Sequence, residues 1–383
     1  MAKRMYTSVD GKARLVKKMY TGVNGIARKV KKAYVGVGGV ARQFFSTGPE
    51  LVYQGPVTAF PTSTYSVTST CNGNHMMFAG GQTYNSSNST SSVYNNTVVV
   101  YDKSFLRTQL DGLSVGRVNS GGASVNGYML IAGGYSNESS PNSKVVDCYS
   151  ANLTHSTIDS LSNITRSRGL STPSYAVFTA KLPFTNNVFN YYNSSLVRGS
   201  ASLSFTAYDC GRAIVGDYFL IAGGYGSSTT VYSTCDAFTS NLVRTSCSPL
   251  SVARTLPTGS RTPSYALFCG GHISGSRTLV VDTYNSQLVK GLASNLPSHG
   301  PNSAYPDTSS YVTKDGVSLA VILGVYDYYY SYDDNLTLSY SVMNLPTSST
   351  AGTFTSESIG GDILFTCGSS SDNGKEVFRL SLI

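Results

Sequence analysis

Gly112-Leu113-Ser114-Val115-Gly116 has the G-x-S-x-G form that presents a serine nucleophile on a sharp turn. That chemistry needs a strand-to-helix turn and a histidine partner, and the equivalent stretch Leu250-Ser251-Val252-Ala253-Arg254 reads as a connecting segment instead. The four histidines, at 75, 155, 272 and 299, lack metal-ligand spacing, and Asp327, Asp333 and Asp334 do not form a calcium-loop pattern. Gly36-Val37-Gly38-Gly39-Val40-Ala41 satisfies the loose dinucleotide pattern, but no strand-to-helix unit follows it. No catalytic residue, metal or cofactor is therefore expected.

The stretch YDYYYSYDD, residues 326–334, packs five tyrosines and three aspartates into nine positions. Tyrosine offers large, rigid contact area at low entropy cost, so such a cluster suits a binding surface. It is read as an exposed loop, with Tyr326, Asp327, Tyr328, Tyr329, Tyr330 and Tyr332 as its contact residues.

These residues sit in a chain of 383 residues that is 40% hydrophobic and only 13% charged, an ordinary globular balance without tryptophan. The longest apolar runs, such as YMLIAGG and SLAVILGVY, are too short to span a bilayer, and the start MAKRMYTSVDG lacks a signal-peptide apolar stretch, so neither membrane insertion nor secretory export is expected. Seven cysteines, an odd number without a C-x-x-C pair, read as reduced apolar fillers.

The net charge of +8 is unevenly placed: residues 1–46 hold 11 of the 28 Lys and Arg with Asp10 as their sole acid, leaving 17 basic and 19 acidic residues beyond. This leader is a gapless 14-residue repeat: MYTSVDGKARLVKK, MYTGVNGIARKVKK and AYVGVGGVARQFFS. Asp10-Gly11, Asn24-Gly25 and Gly38-Gly39, each flanked by alternating strand-type residues, predict three two-residue β-hairpins. Isolated hairpins are marginal in water, so the segment is expected to stack on itself, on sister chains in a homo-oligomer, or on a larger assembly. Its spaced basic residues make nucleic acid the weaker alternative partner.

The body, residues 47–383, repeats on a longer period. FAGG (78–81), IAGG (131–134), FTAK (178–181), IAGG (221–224), FCGG (268–271), ILGV (322–325) and FTCG (365–368) recur at spacings of 43 to 54 residues. Each is followed by a polar stretch and another strand, and no amphipathic helical pattern occurs, so the reading is all-β with four strands per unit. The chain ends on a third strand, EVFRLSLI, while LVYQGPVTAF (51–60) looks like a fourth strand lacking its first three; pairing the two closes seven units.

The closing glycine pairs, the V-x-x-Y-type third strands and the arginines of SVGRVNS, SVARTLP and DCGRAI resemble kelch repeats. The resemblance covers roughly residues 50–383, without the tryptophan kelch blades usually carry and with Ala180-Lys181 in place of one Gly-Gly. It implies a seven-bladed kelch-like β-propeller preceded by the short β-hairpin array. In such a fold the connections from strand two to three and from blade to blade share one face, here the long ones. That face is expected to carry YDYYYSYDD together with Tyr84, Tyr94, Tyr135, Tyr225, Tyr305 and His272, while Arg117, Arg166, Arg212 and Arg254 are expected to ring the central opening and attract an acidic ligand.

The tandem Y-x-G-V-x-G-x-A-R-x-V-K-K hairpins resemble N-terminal parts of structural proteins from phages and prophages of Firmicutes-type bacteria. That resemblance implies attachment to a virion or tail through residues 1–46, with the propeller binding a host-surface glycan or protein. The alternatives are an intracellular kelch protein-interaction module and a carbohydrate-active propeller enzyme.

Overall fold

The computed structural model describes residues 6–9, 12–15, 20–23, 26–30, 32–37, 40–46, 50–62, 64–84, 92–136, 143–162, 166–181, 187–206, 208–226, 230–273, 276–298, 306–324, 328–343, 345, 353–368 and 375–383. The chain divides into two compact units, Met1–Val52 with Leu382–Ile383, and Tyr53–Ser381. In the first unit Tyr6–Val9 pairs antiparallel with Lys12–Leu15, Tyr20–Val23 with Ile26–Lys29, and Lys32–Val37 with Val40–Ser46. The opposed pairs Val9↔Lys12, Val23↔Ile26 and Val37↔Val40 leave two residues for each turn; the turn pairs themselves lie outside the described residues. The third hairpin departs from the other two by a register shift between Ala33 and Tyr34.

The rest of the chain forms seven four-stranded antiparallel sheets among the described residues. Their first strands are Thr68–Cys71, Gly121–Val125, Ser167–Ser171, Gly211–Val215, Thr258–Arg261, Pro306–Lys314 and Thr353–Ile359. The last sheet takes Leu51–Val57 as its fourth strand beside Val377–Leu382. Glu50 and Ile383 also exchange backbone hydrogen bonds of 3.1 and 3.0 Å, so the residue before this fourth strand is tied to the one after its partner strand.

Core sits between neighbouring sheets, because the second and third strands are buried on both faces. Met76–Ala79 and Val98–Tyr101 are wholly buried, and Phe78, Phe178 and Phe268 each meet a third-strand tyrosine edge-on. That tyrosine is a repeated pin: Tyr101, Tyr149, Tyr192, Tyr284 and Tyr332 are fully buried, and each hydroxyl donates to a backbone carbonyl, of Thr58, Asp111, Asp159, Ser248 and Ser294 respectively. Burial with a satisfied hydroxyl is the stable arrangement for tyrosine in a core.

YDYYYSYDD is corrected by this repeat. Tyr328–Tyr332 is the third strand of the sixth sheet rather than a loop, and Tyr329, Tyr330 and Tyr332 are buried in it. Tyr332 is the pin; Asp333 Oδ1 accepts from the Asn335 and Thr337 N–H groups and shapes the next turn; Asp334 receives Ser264 N–H and Oγ at 2.8 Å each. The alternation that puts successive side chains on opposite faces is harmless here because both faces are covered. Tyr326 and Asp327 lie outside the described residues.

The cysteines need a second correction. Cys235 and Cys247 face each other across the third and fourth strands of the fourth sheet and form a disulfide, Cα atoms 5.5 Å apart. Directly opposed strand positions provide the separation a disulfide requires. Cys148, Cys210 and Cys269 are buried fillers, and burial pushes their thiols up to about 11, 12 and 12.

Candidate functional site

The first strands contact their counterparts in the next sheets and enclose a central cavity of about 700 Å³. One position sets how tightly they close. Ser69, Gly122, Gly169, Arg212, Gly259, Ser309 and Ser356 are equivalent, each opposite the Phe or Ile two residues before its second strand's turn-forming pair. Ser69 Oγ, Arg212 Nε and Ser309 Oγ each donate to the carbonyl of the equivalent residue in the preceding sheet, at 3.2, 3.2 and 2.5 Å. A Cβ on Gly122, Gly169 or Gly259 would lie 1.9, 1.9 or 1.7 Å from that same carbonyl, so these strands meet backbone to backbone. The arrangement brings the first strands of all seven sheets to one channel.

Its two walls differ. Arg168, Arg212 and Lys181 line the side formed by the third and fourth sheets. Arg212 Nη1 donates to Cys210 O at 2.9 Å, Arg168 Nε pairs with Asp209 at 3.1 Å, and Lys181 Nζ donates to Asn119 Oδ1 at 2.6 Å. Burial, and then the Arg168 charge beside it, lower Arg212 to about 9. On the other side are Thr68, Ser69, Thr308, Ser309, Thr355 and Glu357. Ser69 Oγ lies 2.8 Å from Thr355 Oγ1 and 3.1 Å from Glu357 Oε1. Burial raises the Glu357 carboxyl to about 7, against the opposing pull of the Ser69 hydrogen bond.

Glu357 therefore holds a proton more tightly folded than unfolded. Its contribution to stability is complete below the ordinary carboxyl value of 4.5 and is lost as pH rises through about 7. Urea unfolding between pH 4 and 8 is expected to show the parent losing on the order of 2 kcal/mol relative to Glu357→Gln over that window. Parallel pH profiles for the two proteins would refute it.

The four arginines expected at the opening separate. Arg117 and Arg254 are fully buried and ion-paired to Asp147 and Asp282 on third strands, at 2.5 and 2.8 Å, and so do not reach the channel. Burial alone would raise the Asp147 carboxyl, but Arg117, the Ser114 N–H and His155 hold it below its ordinary value. Ser114 of the G-x-S-x-G stretch gives its N–H and hydroxyl to Asp147, and Ser251 does the same for Asp282. In the third sheet Asn190 replaces the aspartate, accepting the Ser162 N–H, and Arg166 lies over the Tyr135 ring, 4.3 Å from its centroid. Of the four, Arg212 alone lines the cavity; it lies within a first strand rather than before one. Arg168 and Lys181 were not singled out from the sequence, although FTAK in place of the usual Gly-Gly was the available signal.

At the end of the second strands Tyr135, Tyr225 and His272 directly follow glycine pairs and bridge Val118, Tyr208 and Thr255. Tyr94 packs edge-on against Tyr135 at 5.6 Å, and Tyr208 lies tilted against Tyr225 at 5.5 Å, all partly exposed. His272 reaches the cavity, where burial and then the Arg277 charge lower its pKa. Gln82–Tyr84 pairs with Ser92–Tyr94 as a small additional hairpin. Tyr305 and most of the long connections at this end lie outside the described residues.

No family model and no curated protein matches the chain. Among solved structures it is similar to virginiamycin B lyase from Staphylococcus aureus, with 11% identity over 87% of this chain and 100% of that one and a TM-score of 0.58. It is also similar to a streptogramin B lyase, with 12% identity over 87% of this chain and 98% of the other, TM-score 0.58. YjhT matches with 12% identity over 74% of this chain and 99% of the other, TM-score 0.53. The fold is a seven-bladed β-propeller. At these identities the likeness extends to the fold alone, and the channel residues of this propeller stand on their own geometry. Blade three, the one with Lys181 and Asn190 in place of a glycine and an aspartate, supplies most of what distinguishes the basic wall.

Proposed function

We propose that this chain is a phage virion structural protein of the tail-fibre or receptor-binding type. Residues 1–46 attach it to the virion or tail as self-associating hairpins, and the propeller binds a host-surface glycan or other polymer without performing catalysis. The observation that carries this reading is the partly exposed aromatic surface where the second strands end: Tyr94 against Tyr135 with Arg166 over the same ring, and Tyr208 against Tyr225. Flat aromatic faces beside polar Ser- and Asn-rich connections suit recognition of a hydroxylated polymer, with apolar area from the rings and hydrogen bonds from the loops. The basic leader and nearly neutral body support a division between an assembly segment and a recognition domain.

Binding of the full chain to bacterial cells and to a glycan array, beside Tyr135→Ser and Tyr225→Ser, tests it. The parent is expected to bind, and each substitution to weaken binding about tenfold through loss of a desolvated aromatic contact. A folded parent that binds neither cells nor glycans would overturn the receptor-binding reading and redirect attention to peptide partners.

A further inference from the structure

The channel carries a second, separate inference, which does not depend on the aromatic surface. At the position of Arg212 the other six blades have serine or glycine, and at the position of Lys181 four blades have the second glycine of a pair, Gly81, Gly134, Gly224 and Gly271. The propeller closes in those blades with no long side chain at either place. Two cations have therefore replaced small residues on one wall of the cavity, next to a third, Arg168.

Keeping these charges together is costly. Arg212 is desolvated and repelled by Arg168, and Asp209, paired to Arg168, is the one acid that forms an ion pair with either arginine among the described residues. The bonds of Arg212 use Nε and Nη1, leaving Nη2 without a protein partner among the described residues. Planar guanidinium donors with a nearby ammonium match the in-plane lone pairs of a carboxylate. The facing wall is different in kind: Thr68, Ser69, Thr308, Ser309 and Thr355 supply hydroxyls that donate and accept, and Glu357 adds a carboxyl that accepts, or donates when protonated. A bare inorganic anion would use one wall only. A molecule with a carboxylate at one end and hydroxyls at the other would use both, and a cavity of about 700 Å³ is of the size that takes a small organic ligand.

We propose that the central channel binds a sugar acid, its carboxylate held by Arg168, Arg212 and Lys181 and its hydroxyls by the Ser/Thr wall with Glu357. The test uses isothermal titration of the full chain with glucuronate, with glucose as the neutral analogue and sulfate as the inorganic anion, at constant ionic strength. The variants are Arg212→Ser, the residue blades one, six and seven carry there, and Lys181→Gly, the residue of the glycine-pair blades. Glucuronate is expected to bind the parent, glucose not to bind, and each variant to bind glucuronate at least tenfold more weakly while unfolding at the parent's midpoint. Should Arg212→Ser fail to fold, Lys181→Gly decides. The proposal is overturned if the folded parent does not bind glucuronate, if the folded variants bind it as the parent does, or if sulfate matches it. Because the aromatic substitutions leave the channel untouched, failure here and failure of surface recognition are read separately.

Discussion

Replacing Asp282 by alanine is expected to destabilise the propeller by about 3–5 kcal/mol, the loss typical of removing one partner of a buried ion pair. Arg254 and Asp282 are both fully buried at 2.8 Å, so the truncation strands a guanidinium without water or a counter-charge. It also removes the acceptor of the Ser251 N–H and hydroxyl, 3.0 Å each, which fix the link into blade five. Removing the charge from both sides should be milder: the double variant Asp282→Asn with Arg254→Met is expected to recover a large part of the loss, because no fully buried charge is left unpaired and Lys290, 3.9 Å from Asp282, is partly exposed to solvent. Blade three, with Asn190 and no buried arginine pair, already lives in that state. Urea denaturation of the three proteins checks the prediction; a cost below about 1 kcal/mol for Asp282→Ala would place the pair among weak surface bridges despite its burial.

Gly259→Ala is expected to cost about 2–3 kcal/mol by overpacking. The new methyl carbon would meet the carbonyl oxygen of Arg212 at 1.7 Å and its carbon at 2.4 Å, and both are backbone atoms that cannot rotate away. Blades four and five must therefore separate, which also moves Arg212. Gly127→Ala, with its nearest neighbour 3.5 Å away, meets no such contact, although its positive φ adds strain of its own. Thermal unfolding of both variants distinguishes crowding between strands from strain within a turn: the first lowers stability through inter-blade closure and should reduce binding in the channel, the second should not. A Gly259→Ala midpoint equal to the parent's would refute the close approach.

The expected all-β reading and the seven-unit count hold, because both rest on local regularities. Strand alternation, glycine pairs at near-constant spacing and turn pairs such as Asn126-Gly127 are written over a few residues each. YYYSY carries the related Y-x-x-Y spacing, and alignment of its last tyrosine with those of VVVY and VVDTY places Tyr332 in the core; the abundance of tyrosine points to a surface instead. Composition reports which residues are near in sequence and says little about which face is covered.

What the sequence determined by itself is the repeat: a basic hairpin leader and a ring of β units whose number follows from spacing. What only the tertiary structure decided is where each charge and thiol ends. Arg117 and Arg254 turn inward because Asp147 and Asp282, 30 and 28 residues further along the chain, stand on third strands within reach, Arg166 lies instead over the Tyr135 ring, and Cys235 meets Cys247 because strand register sets them opposite. The basic wall of the channel likewise joins Arg168, Lys181 and Arg212 from two blades. A side chain's destination is set by the partner that lowers its desolvation cost, and that partner is found across space rather than along the chain.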